Sequence, residues 1–217
     1  PPAVRRSSPK WGDRGPFRRR AVAAIFHIEP QPMGHTMGKC TWEAGCVYTV
    51  IICSDGGCSL ARRLEGIRHR FEAKAFAGER AGELLVLEAG AGCRIAGADP
   101  VLILPKQIRG PLPEGEFFAV VANSDWFCET ELITRYPGAV VLTCGMRDDD
   151  ALTYASCGED QAVVSVQRRF GTMGGRQVLP QDLPLRRQPE TSRFDLLACC
   201  ALLLLCGKSS QLPGITL

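Results

Sequence analysis

Most recognisable chemistries have little to draw on in this sequence. Of its 217 residues only 3 are histidines, and only His69 falls inside a segment with regular patterning, so a histidine-rich metal centre is excluded. The dinucleotide fingerprint G-x-G-x-x-G is missing, and so is the phosphate loop G-x-x-x-x-G-K-[ST]. Eleven cysteines contain no Cys-x-x-Cys pair; Cys53 and Cys58, with four residues between them, come nearest and have no second half. Long hydrophobic runs are lacking too. The most apolar stretch, Leu196 to Cys206, covers 11 residues, well short of the roughly 20 that cross a bilayer. Ala21 to Ile28 is too short and too interrupted, by His27 and then Glu29, to serve as a secretory signal core. The expected location is cytoplasmic, with no membrane involvement.

What is present is an ordinary globular composition, 45% hydrophobic and 23% charged, in a chain long enough for one full core. The formal charge of +3 hides a division. Residues 1–39 hold eight Lys/Arg and two Asp/Glu, while the remaining 178 hold 18 and 21. A mildly acidic body offers no electrostatic footprint for nucleic acid, so no nucleic-acid partner is expected. Residues 1–38, rich in Pro, Arg, Gly and Ser, read as a disordered basic tail. Because Met33 and Met37 stand where patterning begins, the tail is also a candidate for a segment foreign to the native protein. Arg18, Arg19 and Arg20 make the alternative, a polybasic arm, a weak case without interleaved aromatics. Cys53, Cys144, Cys199, Cys200 and Cys206 sit inside apolar runs and read as reduced, buried thiols.

The organised part, residues 39–207, reads as a single α/β domain followed by a short tail, 208–217. Val47 to Cys53 is apolar and β-branched, hence a buried strand. The Ser54-Asp55-Gly56-Gly57 turn follows, and then a helix over 58–69 with Leu60, Leu64 and Ile67 on one face. Such a turn can serve tightness alone or offer backbone N–H groups to a phosphate. Phe71 to Ala77 is expected as a short edge strand, with further strands at 82–88 and 99–105. Phe117 to Ala122, without alternation, suits a strand buried on both faces. It ends on Asn123-Ser124-Asp125, with Asp125 read either as the N-cap of a helix over 126–135 or as a group for a metal or a ribose hydroxyl. Pro137-Gly138 stops that helix, and Ala139 to Leu142 begins the next strand at βαβ distance. Asp148 to Asp150 reads as a solvated turn. Strands at 151–156 and 162–169 form a hairpin, 176–179 is a candidate third strand, and Pro180, Pro184 and Pro189 mark an extended arm. A helix over 194–206, capped by Thr191 or Ser192 and closed by Gly207, is apolar all round and must be buried. The predicted fold is a mostly parallel Rossmann-like sheet with flanking helices, a β-hairpin excursion and a C-terminal apolar helix.

The order of elements from 117 to 207 resembles the C-terminal half of the central domain of the Mur ligase family, ATP-dependent enzymes that add amino acids to peptidoglycan precursors. Asn123-Ser124-Asp125 is similar to the family's Asn-Ala-Asp type turn, and Cys144-Gly145 to the Tyr-Gly or Phe-Gly pair that ends its next strand. Residues 151–185 correspond to a β-rich excursion, and Leu196 to Gly207 to the last alanine-rich helix. Departures shape what the resemblance implies. The family's phosphate loop has no match, its His-Asn dyad is replaced by Thr191-Ser192-Arg193-Phe194-Asp195, and only ten residues follow Gly207, so no separate ligase domain is expected. The resemblance therefore implies a non-catalytic relative without a cofactor. It would act as a binding or regulatory module in cell-wall precursor metabolism, with a nucleotide-sugar-like ligand or a protein partner such as a complete ligase. The competing reading is a small enzyme that binds a nucleotide or phosphate-containing substrate where the two turns meet. The ligand-binding candidates are Ser54, Asp55, Gly56, Gly57, Asn123, Ser124 and Asp125. No catalytic or metal-ligating residue is assigned, because Ser54 or Cys58 would have to work with His69 a helix length away. Arg168-Arg169 and Arg186-Arg187 are candidates for contacting a phosphate or an acidic partner, one of each pair per face.

Overall fold

A computed structural model describes residues 46–56, 58–72, 82–97 and 99–212. The basic tail, Gly57 and most of the expected edge strand at 71–77 lie outside these residues.

Runs of Val, Ile and Leu without alternation make strands that tolerate burial on both faces, which a parallel sheet requires. Five of them, β1 (Cys46–Cys53), β2 (Gly82–Ala89), β3 (Val101–Leu104), β4 (Ala119–Asn123) and β5 (Val140–Cys144), stand parallel in the order β2-β1-β3-β4-β5. The sheet continues through β6 (Leu152–Cys157), β7 (Gln161–Val166) and β10 (Gln181–Arg186) to eight strands, the last two antiparallel. Between β5 and β6 the only paired residues are Cys144 and Leu152. Thus β6 begins where β5 ends and projects past it, and a short turn joins two parallel strands that normally need a crossover of a dozen residues or more. The predicted extended arm is instead the edge strand β10. Its Pro184 lies opposite Val163, and an edge is where a strand tolerates a residue without an N–H.

One face of the sheet is covered by α1 (Ser59–Gly66), α2 (Arg68–Glu72) and α4 (Arg193–Leu205). Leu60, Leu64 and Ile67 of the first helical stretch are buried as their spacing requires. Phe71 belongs to α2, so the edge strand expected from it does not start there; its ring packs on Tyr48 at 5.6 Å. Every residue of α4 from Phe194 to Leu205 is buried, because the sheet lies on one side, α1 on another, and a small ribbon, β8 (Phe170–Gly171) with β9 (Gln177–Val178), joins the same apolar cluster. The helix starts at Ser192, whose Oγ accepts the Asp195 N–H at 3.0 Å. It ends at Gly207, with φ +71; the Gly207 and Lys208 N–H groups donate to the Leu204 and Leu203 carbonyls at 3.0 and 2.7 Å. Those paired bonds need a left-handed residue, which glycine adopts at no steric cost.

Among the described residues the opposite face carries one helix, α3 (Glu129–Arg135), and two loops. The loops, 90–100 and 105–118, bind each other through Gly92 N–H to Pro111 O at 2.7 Å and Ile95 N–H to Glu114 O at 2.8 Å. Ile108 and Phe117 fill the place a helix would take, and Phe117 meets Tyr136 edge-on at 5.3 Å. Among the described residues no helix is long and apolar enough to cross a membrane.

Cys53, Cys144, Cys199, Cys200 and Cys206 are all buried, while Cys128 and Cys157 are exposed. Burial pushes the Cys53 thiol up to about 11 and Cys200 to about 12, and raises Cys144, Cys199 and Cys206 as well. These thiols are held neutral in the fold and ionise more readily once unfolded. Their contribution to stability is therefore complete below the ordinary thiol value of 9.0 and falls as the pH rises through the folded values. Urea midpoints should be flat with respect to these groups below about pH 8 and drop steadily above about pH 9. In native protein iodoacetamide should label Cys128 and Cys157 and leave the five buried thiols until urea is added. Leu203→Ala should cost about 2–5 kcal/mol by urea titration, because the helix has no solvent face onto which a cavity could collapse.

Candidate functional site

The strands' C-terminal ends, where such folds place their ligands, are shaped mainly by Asn123. Its side-chain oxygen accepts the Asp125 N–H at 3.0 Å, and its amide donates to the Pro105 carbonyl at 3.1 Å, tying the end of β4 to the end of β3. Its own carbonyl accepts from Trp126 and Phe127, both at 3.1 Å. A side chain that satisfies the backbone locally competes with helix formation, and this moves the helix start. The expected helix over 126–135 begins only at Glu129, with Cys128 in the N-cap position and no side-chain cap. Asp125 is therefore not an N-cap. It is exposed beside the turn.

Ser124 points the other way. It is buried, and its Oγ donates to Asp150 Oδ2 at 2.9 Å; the Arg147 N–H donates to the same oxygen at 2.8 Å. Asp150 is 1% exposed, so the solvated turn expected at 148–150 holds only for Asp148 and Asp149. One carboxylate closes the turn between β5 and β6 and locks it to the turn after β4. Gly145 makes this approach feasible, since a Cβ there would stand 2.0 Å from Ser124 Oγ and 2.8 Å from Asp150 Oδ2.

After β1, Ser54 is buried and its Oγ accepts the Gly56 N–H at 3.4 Å. Asp55 Oδ2 accepts the Arg109 N–H at 3.4 Å. The strand order reverses between β1 and β3, the usual ligand crevice of a doubly wound sheet, and here the chain's own 105–109 segment is bound across it. The cavity lies to one side of that crevice, over the ends of β3, β4, β5 and β6 and under the N-termini of α1 and α4. Its volume is about 600 Å³. Pro105, Lys106, Asn123, Asp125, Gly145, Met146 and Tyr154 form its sheet side; Cys58, Ser59, Arg193, Phe194 and Asp195 form the helix side. Of the sequence candidates, Asn123 and Asp125 reach the cavity. Ser54, Asp55, Gly56 and Ser124 do not line it, and Gly57 lies outside the described residues.

On the helix side Asp195 is buried, accepts the Ser59 Oγ–H at 2.6 Å and lies 3.4 Å from Arg63 Nε. A carboxylate is thus shared between the first turns of α1 and α4, where both helix dipoles favour negative charge. Cys58, in the N-cap position of α1, is held above the usual thiol range by burial, which outweighs the helix N–H groups of Leu60 and Ala61 that lower it. Tyr154 Oη donates to the Arg193 carbonyl at 2.7 Å and is likewise raised by burial, so it anchors the start of α4. The side chains of Lys106, Asp125 and Arg193 have no hydrogen-bonding or ionic partner among the described residues, and these residues are exposed at the cavity wall. One arginine of each pair, Arg168 and Arg187, is engaged, while Arg169 and Arg186 are exposed. Arg168 pairs with Glu129 and also donates to the Val141 carbonyl, and Arg187 donates to the Gly158 and Thr191 carbonyls. His69 is exposed on α2, away from the cavity.

The sequence reading missed Lys106, Ser59, Arg193 and Asp195. The last two were noted only as departures from a family pattern, and Lys106 sits in a proline-rich connector with no motif. No protein-family model matches the sequence, and no curated protein gives a significant match.

Ser124→Ala should lower stability by about 1.5–3 kcal/mol, the range for a hydrogen bond to a charged group. Gly145→Ala should cost more, since about 1–3 kcal/mol of overpacking adds to that loss. Equal urea midpoints for the two variants would show that the turns are not locked together at this point.

Proposed function

We propose that the chain is a non-catalytic binding module, akin to the central domain of the Mur ligases, that holds a nucleotide-sugar-like ligand over the ends of β3 to β6. The observation that carries this reading is the cavity wall. Lys106 and Arg193 offer unpaired cations and Asp125 an unpaired carboxylate around a space of about 600 Å³, within the size range of small-molecule sites. A ligand with phosphates and ring hydroxyls matches that set, with phosphate against the cations and hydroxyls donating to the carboxylate. The family reading is supported by element order: β4 with its Asn123 turn, α3, β5 with Gly145, the β6 to β10 excursion, then α4 with Gly207. A module of this kind would act through a protein partner, such as a complete ligase in cytoplasmic precursor synthesis.

One observation favours the small-enzyme alternative: Ser59 Oγ, at the cavity, is already hydrogen-bonded to a carboxylate. Asp195 is itself engaged with Arg63, and among the described residues no histidine lines the cavity, which makes this the second reading.

Calorimetric titration and thermal shift with UDP-sugars and with ATP plus Mg²⁺ separate the two. Saturable sugar-nucleotide binding is expected, weakened roughly tenfold, about 1.4 kcal/mol, by either Lys106→Ala or Asp125→Ala. No binding of any nucleotide would sink the proposal. Nucleotide turnover that disappears in a folded Ser59→Ala variant would replace it with the enzyme reading.

A further inference from the structure

The last strand of the sheet has two open sides. β2 pairs with β1 along all its residues, and among the described residues no strand lies on its other edge. Its inner face is covered, with Leu84 1% exposed beneath α1 and α2. Its outer face is not. Leu85 and Leu87 are 43% and 44% exposed, and Val47, beside them on β1, is 59% exposed. The apolar cluster on that face includes Ile51, Leu102 and Leu104 and stops short of these three side chains.

Edges of this length are usually blunted by lysine, proline or a bulge. β2, Gly-Glu-Leu-Leu-Val-Leu-Glu-Ala, has none of these, and its only charges are Glu83 and Glu88 near its two ends. An edge without blocking devices, next to a small apolar step, is what a continuous sheet across two molecules uses.

We infer that a second copy of this chain occupies the site, with the two β2 strands pairing antiparallel about a two-fold axis normal to the sheet. Residues directly opposite in an antiparallel pair face the same side, so the axis must pass at a residue and not between two. The pairing centred on Val86 sets Leu85 opposite the second copy's Leu87 and Leu87 opposite its Leu85. Glu83 then falls opposite Ala89 and Glu88 opposite Leu84, so no two glutamates face each other. Centring on Leu85 or on Leu87 leaves only one leucine–leucine pair, and centring on Leu84 sets Leu85 against Glu83. The register with most apolar contact is therefore one without like-charge opposition, and each apolar step covers its mate. This surface shares no residue with the cavity, so the inference does not depend on the proposed ligand.

Sedimentation equilibrium of the full chain across the micromolar range tests it. The expected mass is twice the 23.6 kDa of one chain. The double variant Leu85→Lys, Leu87→Lys, altered only at exposed positions, should remain folded by circular dichroism and dissociate with a Kd raised roughly 100-fold or more. In a second measurement, Val86→Cys should give an oxidised dimer linked through residue 86 by peptide mapping, since only the central residue meets its own copy. A wild-type chain that stays monomeric throughout that range overturns the inference. So does a dimer that survives the double lysine variant unchanged, or a different protein's strand found on β2 of a monomeric chain.

Discussion

The burial of α4 is the constraint on which the rest of the structure depends. Twelve consecutive residues without solvent contact, Phe194 to Leu205, can be accommodated only if every direction around the helix is occupied. β4, β5 and β6 supply the floor, α1 one wall, and the β8–β9 ribbon joins the surrounding cluster. Apolar area removed from water is the main favourable term in folding, and much of it here is gathered on this single element. The irregular stretch from 167 to 192, which looks like an appendage in the chain, becomes part of the enclosure of the helix. Met173 N–H donates to the Leu205 carbonyl at 2.8 Å, so the enclosure is tied to the helix end by its backbone.

Enclosing α4 also creates the cavity. The helix begins beneath the strand ends, and its first turn needs a partner for Asp195, a carboxylate that is 4% exposed. Ser59 and Arg63 of α1 supply it, which brings two helix N-termini to one place. On the sheet side, Asn123 binds the end of β4 to the end of β3, while Ser124 and Asp150 bind the turn after β4 to the turn after β5. The polar residues of this region divide into those that hold the walls together and those left over at the rim: Lys106, Asp125 and Arg193. The first group is structural because Asn123, Ser124, Asp150 and Asp195 are buried, and a buried polar group needs a partner. The second group carries the functional proposal because nothing in the fold requires it.

Much of this was legible in the chain. The five parallel strands are apolar runs bounded by turn residues, and the structure has each of them within a few residues of its predicted place. The amphipathic spacing of Leu60, Leu64 and Ile67, the all-round apolarity of α4 and its closure at Gly207 were visible for the same reason: local periodicity records which faces must be buried. Three readings failed where a distant partner decided. Asn-Ser-Asp before a helix suggests Asp125 either as a cap or as a ligand group, but Asn123 accepts the Asp125 N–H while its amide is fixed on Pro105, eighteen positions earlier, and the helix starts only at Glu129 with no cap from Asp125. Asp150 was read with its exposed neighbours because three consecutive aspartates look alike until one of them meets Ser124. The prolines at 180, 184 and 189 suggest an arm, and the edge strand β10 accommodates Pro184 opposite Val163.

By itself the sequence determined that this is a mostly parallel α/β domain with a buried final helix, since hydrophobic period and turn chemistry are properties of neighbouring residues. Tertiary structure alone decided which polar groups became struts and which remained at the cavity wall. A carboxylate's role depends on what lies within about 3 Å of it, and for Asp150, Asp195 and Asp125 those neighbours, or their absence, come from parts of the chain that no local pattern connects.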